Sequence, residues 1–161
     1  MNQSLGQSKT SVHKKTKKKK ARNRLKKSVN FCSAVIKMGI KGKILEFRGN
    51  LMPSPDRPAP SGIPAKRKIA AFEITTLDQV ENGKQTGFYS RILTKKIADV
   101  QSNAEGCFLM TLKPGRYSLF VWENGEWYAN GFGANGEIFE VEVKENEVNE
   151  IQFSINYGAV Y

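Results

Sequence analysis

The chain predicts an all-β fold, an antiparallel β-sandwich of about seven strands. Three observations carry this. Apolar residues alternate with period two in several short runs. Turn chemistry recurs at near-regular spacing between those runs. Helical periodicity is almost absent, and such strand-rich spacing suits two packed sheets.

The most informative run is residues 102 to 122. Ser102-Asn103-Ala104-Glu105-Gly106 is a polar loop closing on glycine. Phe108, Met110 and Leu112 then alternate with Cys107, Leu109 and Thr111. Lys113-Pro114-Gly115-Arg116 is a turn, with proline pre-setting φ and glycine accepting positive φ. Tyr117, Leu119 and Val121 continue the alternation, so the stretch predicts a hairpin. Phe108, Met110, Leu112, Tyr117, Leu119 and Val121 are assigned to the core. The opposite face carries Cys107, Leu109, Phe120 and Trp122; either a loop covers it or it binds something. The proline-rich segment 53–64 is the candidate cover.

The other elements follow in order. Ile40 to Phe47 is the first strand, with Gly39 and Gly42 suited to a close strand contact. Residues 49–67 hold five of the six prolines, which favour extended, polyproline-like chain outside a central ladder. Lys68 to Thr75 is the second strand. Thr76-Leu77-Asp78-Gln79 has capping-box spacing and predicts one helical turn. A strand is expected from about Leu93 to Val100, preceded by Phe88, Tyr89 and Ile92. Asn124-Gly125 marks a tight turn. Residues 130–136 form a glycine-rich connection without the strand-to-helix context of a phosphate loop. Two alternating runs, Glu137 to Val143 and Val148 to Tyr157, complete the set.

The stretch Gly106-x-Phe108, Leu112-x-Pro114-Gly115-x-Tyr117-x-Leu119, with the opening strand Gly39-Ile40-Lys41-Gly42-Lys43-Ile44, resembles the carboxypeptidase regulatory-like domain family. The resemblance spans roughly residues 39–157 and implies an Ig-like, prealbumin-like (transthyretin-like) sandwich. The family usually places an acidic residue at the start of the loop before the glycine; here Ser102 or Asn103 stands there. In larger proteins similar domains sit beside zinc carboxypeptidase or outer-membrane receptor domains. The resemblance therefore implies an accessory module of the envelope or secreted space, and says little of activity. Transthyretin-like enzymes that hydrolyse 5-hydroxyisourate use histidines and a C-terminal tetrapeptide. This chain ends Asn156-Tyr157-Gly158-Ala159-Val160-Tyr161 and matches neither.

Charge divides the 161 residues in two. The net +11 is misleading as a whole-chain figure. Residues 1–45 hold 14 Lys/Arg and no Asp/Glu, while the rest hold 12 Lys/Arg and all 15 Asp/Glu, a net of −3. The expected organisation is a disordered basic tail or degenerate export segment over 1–37 and a sandwich domain over 38–161. Lys14, Lys15, Lys17, Lys18, Lys19, Lys20, Arg22, Arg24, Lys26 and Lys27 are the candidate polyanion contacts. Such a run binds nucleic acid weakly and without sequence readout by releasing counterions, and attracts anionic lipid equally. A basic run followed by the apolar piece 29–38 also suggests an export signal, although Asn30, Ser33 and Lys37 interrupt it. Val29-Asn30-Phe31 fits a lipoprotein cleavage box before Cys32 poorly. A start at Met38 is a further reading. The export-related or spurious tail is preferred to a nucleic-acid function, and no stretch is long enough to span a bilayer.

Catalytic and metal chemistry finds no support. The one histidine, His13, lies in the basic tail, so the domain lacks Ser-His and Cys-His pairs and imidazole ligands. No catalytic residue, metal ligand or cofactor is assigned, and the expectation is not an enzyme. Cys32 and Cys107 are the two cysteines; the plainer reading is two unpaired thiols, and spacing leaves a disulfide open. Glutamates 140, 142, 145, 147 and 150 read as a solvated face. The late aromatics Phe120, Trp122, Trp127, Tyr128 and Phe132 are the candidate surface for an unknown protein or glycan, weighed against core packing. The expected function is a non-enzymatic accessory or binding module, with polyanion binding through the tail as the alternative.

Overall fold

The computed structural model describes residues 32–161; the first 31 residues of the expected 1–37 tail, with its ten candidate contacts, lie outside them. Eleven strands form two sheets, and no α-helix occurs among the described residues. The first sheet holds β1 (Gly39–Asn50), β2 (Ile63–Pro64), β7 (Cys107–Met110) and β11 (Val148–Val160). The second holds β3 (Lys68–Glu73), β4 (Val80–Asn82), β5 (Phe88–Ile92), β6 (Lys96–Gln101), β8 (Gly115–Glu123), β9 (Glu126–Tyr128) and β10 (Glu140–Val143). The sandwich expected from the sequence is thus present, with more and shorter strands than about seven.

In the first sheet, β11 pairs with one edge of β1, while β7 and β2 pair in succession along its other edge. The β1–β11 pairing is parallel, running from Gly39↔Val148 to Asn50↔Val160. This departs from the purely antiparallel expectation: first and last strands meet only after the whole chain has closed, so no turn records their direction. In the second sheet the order is β4-β5-β9-β8-β3-β6. There β10 and β9 share the remaining edge of β8, at Gly115–Ser118 and Val121–Glu123 respectively.

The run 102–122 is therefore not a hairpin. β7 pairs with β1 and β8 with β3, so Lys113–Gly115 carries the chain across from one sheet to the other. The Tyr117 hydroxyl donates to the Lys113 carbonyl at 2.8 Å and pins this crossover, the tyrosine-corner device of sandwiches. All six residues assigned to the core are buried. The single outer face expected for this run does not exist, because the crossover sends the two outer faces to opposite surfaces. Cys107 and Leu109 face outward from one sheet, Phe120 and Trp122 from the other. Nor does the proline-rich segment cover either: residues 52–61 are exposed, and only Ile63–Pro64 rejoins a sheet, against Leu45 and Glu46.

Other expectations shift locally. The strand expected near 93–100 is two strands, β5 and β6, separated at 93–95. The run 137–143 starts its strand only at Glu140, because Phe139 takes φ +37° and breaks the alternation. Leu77–Gln79 forms the expected single turn, with the Thr76 N–H donating to Gln79 Oε1 at 3.1 Å. Asn124 and Gly125 take φ +52° and +82°, both positive as a type I′ hairpin turn needs, and join β8 to β9.

Arg67 ties the two sheets together at one edge. Its guanidinium pairs with Glu123 at the end of β8 and lies 3.5 Å from Glu46 of β1. Tyr157 of β11 donates to Glu123 Oε1 at 3.0 Å. Glu123 is buried, so these partners compensate a charge that would otherwise be costly there.

Candidate functional site

The five candidate aromatics do not form one surface. Phe120 and Tyr128 are buried. Phe120 lies in an aromatic layer outside the second sheet, edge-on to Phe72 (5.4 Å between centroids) and Tyr89 (5.8 Å). Phe72 also meets Trp127 edge-on at 5.3 Å, and Trp127 meets Trp122 at 5.0 Å. Trp122 is the exposed end of this layer, 41% accessible. β8 is thus apolar on both faces because both are packed, which period-two reading does not reveal. Tyr128 belongs to the interior, beside Phe88 and Tyr157. Phe132, 57% exposed, stands apart from the tryptophans in the loop after β9.

Phe132 and Tyr128 belong instead to a cleft of about 880 Å3 at one end of the sandwich. Three segments distant in sequence build it. These are residues 82–83 and 85–89 at the β4–β5 connection, residues 128–130 and Phe132 from the end of β9 onward, and Asn156–Tyr157 of β11, with Leu77 also lining it. The Asn82–Gly87 loop closes through Gly83 N–H donating to Phe88 carbonyl at 2.8 Å, and Ala129 N–H donates to Gly87 carbonyl at 3.0 Å. Tyr128 Oη donates to Asn156 Oδ1 at 2.8 Å, the Asn130 amide donates to the same oxygen, and Asn156 Nδ2 donates to Tyr161 Oη at 2.9 Å. Asn156 is thereby held in one orientation by groups from β9, the following loop and the residue after its own strand.

The cleft is electrically quiet. Among its lining residues none is Asp, Glu, Lys, Arg or His, in a chain of which 25% is charged. Its tyrosines are neutral: burial pushes the phenols of Tyr89, Tyr128 and Tyr157 above their usual range. The arrangement offers hydrogen bonds and ring faces, with no acid–base pair and no carboxylate ligand set. Sequence reading missed Asn82, Gln85, Asn130 and Asn156. Isolated amides carry no motif, and only the fold gathers them.

The glycine-rich loop is organised by Glu137, which sequence reading passed over as the start of a strand. Glu137 is nearly buried. Its carboxylate accepts from Arg116 at 2.9 Å, from Asn135 N–H at 2.9 Å and from Asn135 Nδ2 at 3.2 Å. Its own backbone N–H, Asn135 and Arg116 draw its pKa from 4.5 to about 2. Arg116, hydrogen-bonded to Glu140 and Glu137, is raised further above its already high value. Glu140 is therefore an ion-pair partner and not simply part of a solvated face, whereas Glu142, Glu145 and Glu147 are exposed as expected.

Cys32 and Cys107 form a disulfide, with Cα atoms 5.3 Å apart. This corrects the reading of two unpaired thiols: β7 turns Cys107 outward, and the segment before β1 returns over it. The disulfide thus fastens Cys32, which precedes the expected boundary at 38, to the first sheet. Glu105 lies near both sulfurs. The sulfurs are committed to each other, so they are not thiolate ligands for a metal.

No helix among the described residues is long and apolar enough to cross a membrane. Comparison with known proteins adds no relative: no family model matches the chain, and no curated protein or solved structure matches it.

Proposed function

We propose that this chain is a non-enzymatic binding module of the cell envelope or secreted space, akin to carboxypeptidase regulatory-like domains, that contacts a protein or a glycan through loops at one end of its sandwich. The observation that carries this is the uncharged, loop-built cleft around Asn130 and Asn156. It has the size of small-molecule sites, about 300–1,000 Å3, and its polar side chains are all amides and hydroxyls, set beside aromatic rings. Two features support the kinship. Asn103, at one of the two positions where the family's acidic loop residue is expected, accepts through Oδ1 from the Glu105 and Cys107 N–H groups at 3.0 and 2.9 Å. Tyr117 closes the Pro114-Gly115 crossover.

The Cys32–Cys107 disulfide supports the compartment, since such bonds persist where the surroundings are oxidising. It also moves the expected processing point. Removal of the first 37 residues would discard Cys32, so export cleavage falls before it. Non-reducing mass spectrometry of the fractionated native protein tests this. The expected result is a Cys32–Cys107 linked peptide pair in the envelope or secreted fraction. A cytosolic protein with both thiols reduced overturns it.

The separation of charge between residues 1–45 and the rest favours a second reading, polyanion binding through Lys14 to Lys27. Its mark is salt-sensitive retention on heparin or DNA by the full chain, lost on deletion of residues 1–31.

A further inference from the structure

The cleft's chemistry narrows its ligand. We propose that it binds a neutral oligosaccharide, a deepening that rests on the binding-module reading. The charge, hydrogen-bonding groups, exposed ring and fixed amide of the cleft all suit that class.

First, charge. A bound anion or cation gains most from a countercharge, and none lines the cleft among the described residues. Peptide termini, nucleotides and uronic acids are all poorly served there.

Second, hydrogen bonding. Asn82, Gln85 and Thr86 line the cleft and make no side-chain hydrogen bond within the described fold, while Asn130 keeps its carbonyl oxygen and Asn156 one amide hydrogen for a ligand, the Asn156 oxygen already accepting from Tyr128 and Asn130. Side-chain amides present donor and acceptor together, which matches the mixed donor–acceptor character of vicinal hydroxyls. An apolar ligand would desolvate these groups without replacing their bonds to water, at a cost for each.

Third, ring surface. Phe132 is 57% exposed on the loop at the cleft, an unusual position for phenylalanine in a protein that buries Phe88, Phe108, Phe120 and Phe153. An exposed ring beside fixed amides suits the apolar C–H face of a pyranose, whose hydroxyl edge the amides then take.

Fourth, preorganisation. Asn156 is held by Tyr128, Asn130 and Tyr161, so it does not have to be ordered when ligand arrives. The flanking loops are short and anchored by backbone hydrogen bonds on both sides.

The test is amide chemical-shift mapping on the full chain with a probe panel: maltotriose, cellotriose, mannotriose and chitotriose as neutral sugars, trigalacturonate as an acidic one, and a neutral tripeptide. At least one neutral trisaccharide, at ~10 mM for a weak single site, is expected to shift residues 82–88, 129–132 and 156–157. Phe132→Ala is expected to weaken that binding about three- to tenfold while leaving the remaining spectrum in place. Trp122→Ala, on the outer layer, leaves the affinity unchanged. Preference for trigalacturonate or the tripeptide in the same residues overturns the sugar assignment but leaves the binding module standing. Shifts at Trp122 and Trp127 instead move the site and likewise overturn the inference alone. No shift with any probe overturns the saccharide site; the envelope reading is judged separately by the state of Cys32 and Cys107.

Discussion

At the scale of single residues, Glu137 is a tightly held ionisable group. Three neighbouring donors besides its own N–H favour its charged form, and its pKa falls to about 2. A carboxyl depressed in the folded state contributes stability that is complete above its unfolded value near 4.5. That contribution is lost as pH falls through the folded value near 2. Chemical denaturation of the wild type between pH 5 and 2 is therefore expected to show declining stability, and Glu137→Gln a flatter profile over that window. Equal slopes in the two proteins would remove Glu137 as the source. This residue was not legible beforehand. In sequence it is one glutamate among many, and its partners Arg116 and Asn135 reach it from a different strand and from the loop.

Within elements, the crossover between β7 and β8 decides the architecture. Pro114-Gly115 reads as a turn in any topology, and local turn chemistry cannot say whether the strands on either side pair with each other. Here they pair with β1 and β3 instead. The Tyr117–Lys113 hydrogen bond holds the corner at 2.8 Å. Tyr117→Phe keeps the ring in the core and deletes that bond, so a loss of about 1 kcal/mol in urea unfolding is expected. Gly42 shows a comparable dependence on neighbours. A Cβ there would run into the Ile151 carbonyl oxygen of β11, so the close contact suspected from glycine in a strand has a specific cause. The aromatic layer of Phe72, Tyr89, Phe120, Trp122 and Trp127 explains why β8 is apolar on both faces. It also divides the candidate surface aromatics, leaving Phe132 and the buried Tyr128 at the cleft.

For the whole molecule, the disulfide joins residues 75 apart in sequence and fastens the segment before β1 onto the first sheet. Closing so long a loop removes chain entropy from the unfolded state. Reduction, or Cys32→Ser, is expected to lower unfolding free energy by about 2–4 kcal/mol. Guanidinium unfolding with and without dithiothreitol measures this, and coincident midpoints would show that the bond contributes nothing. The same bond links stability to compartment: a reducing cytosol would deprive the domain of that contribution, and an oxidising envelope would not.

Sequence alone determined the strand content, the turn at Asn124-Gly125 and the six core residues of the 102–122 run. These follow from period-two alternation and from φ preferences, which are properties of neighbouring residues. It also established the charge separation and the lack of a histidine in the domain. Tertiary structure alone decided the parallel β1–β11 pairing, the Cys32–Cys107 bond, the burial of Glu137 and the cleft around Asn130 and Asn156. Each is a meeting of segments far apart in the chain, and such meetings are set by the closing of the two sheets on one another. No local pattern encodes which distant amides will come to share one cleft.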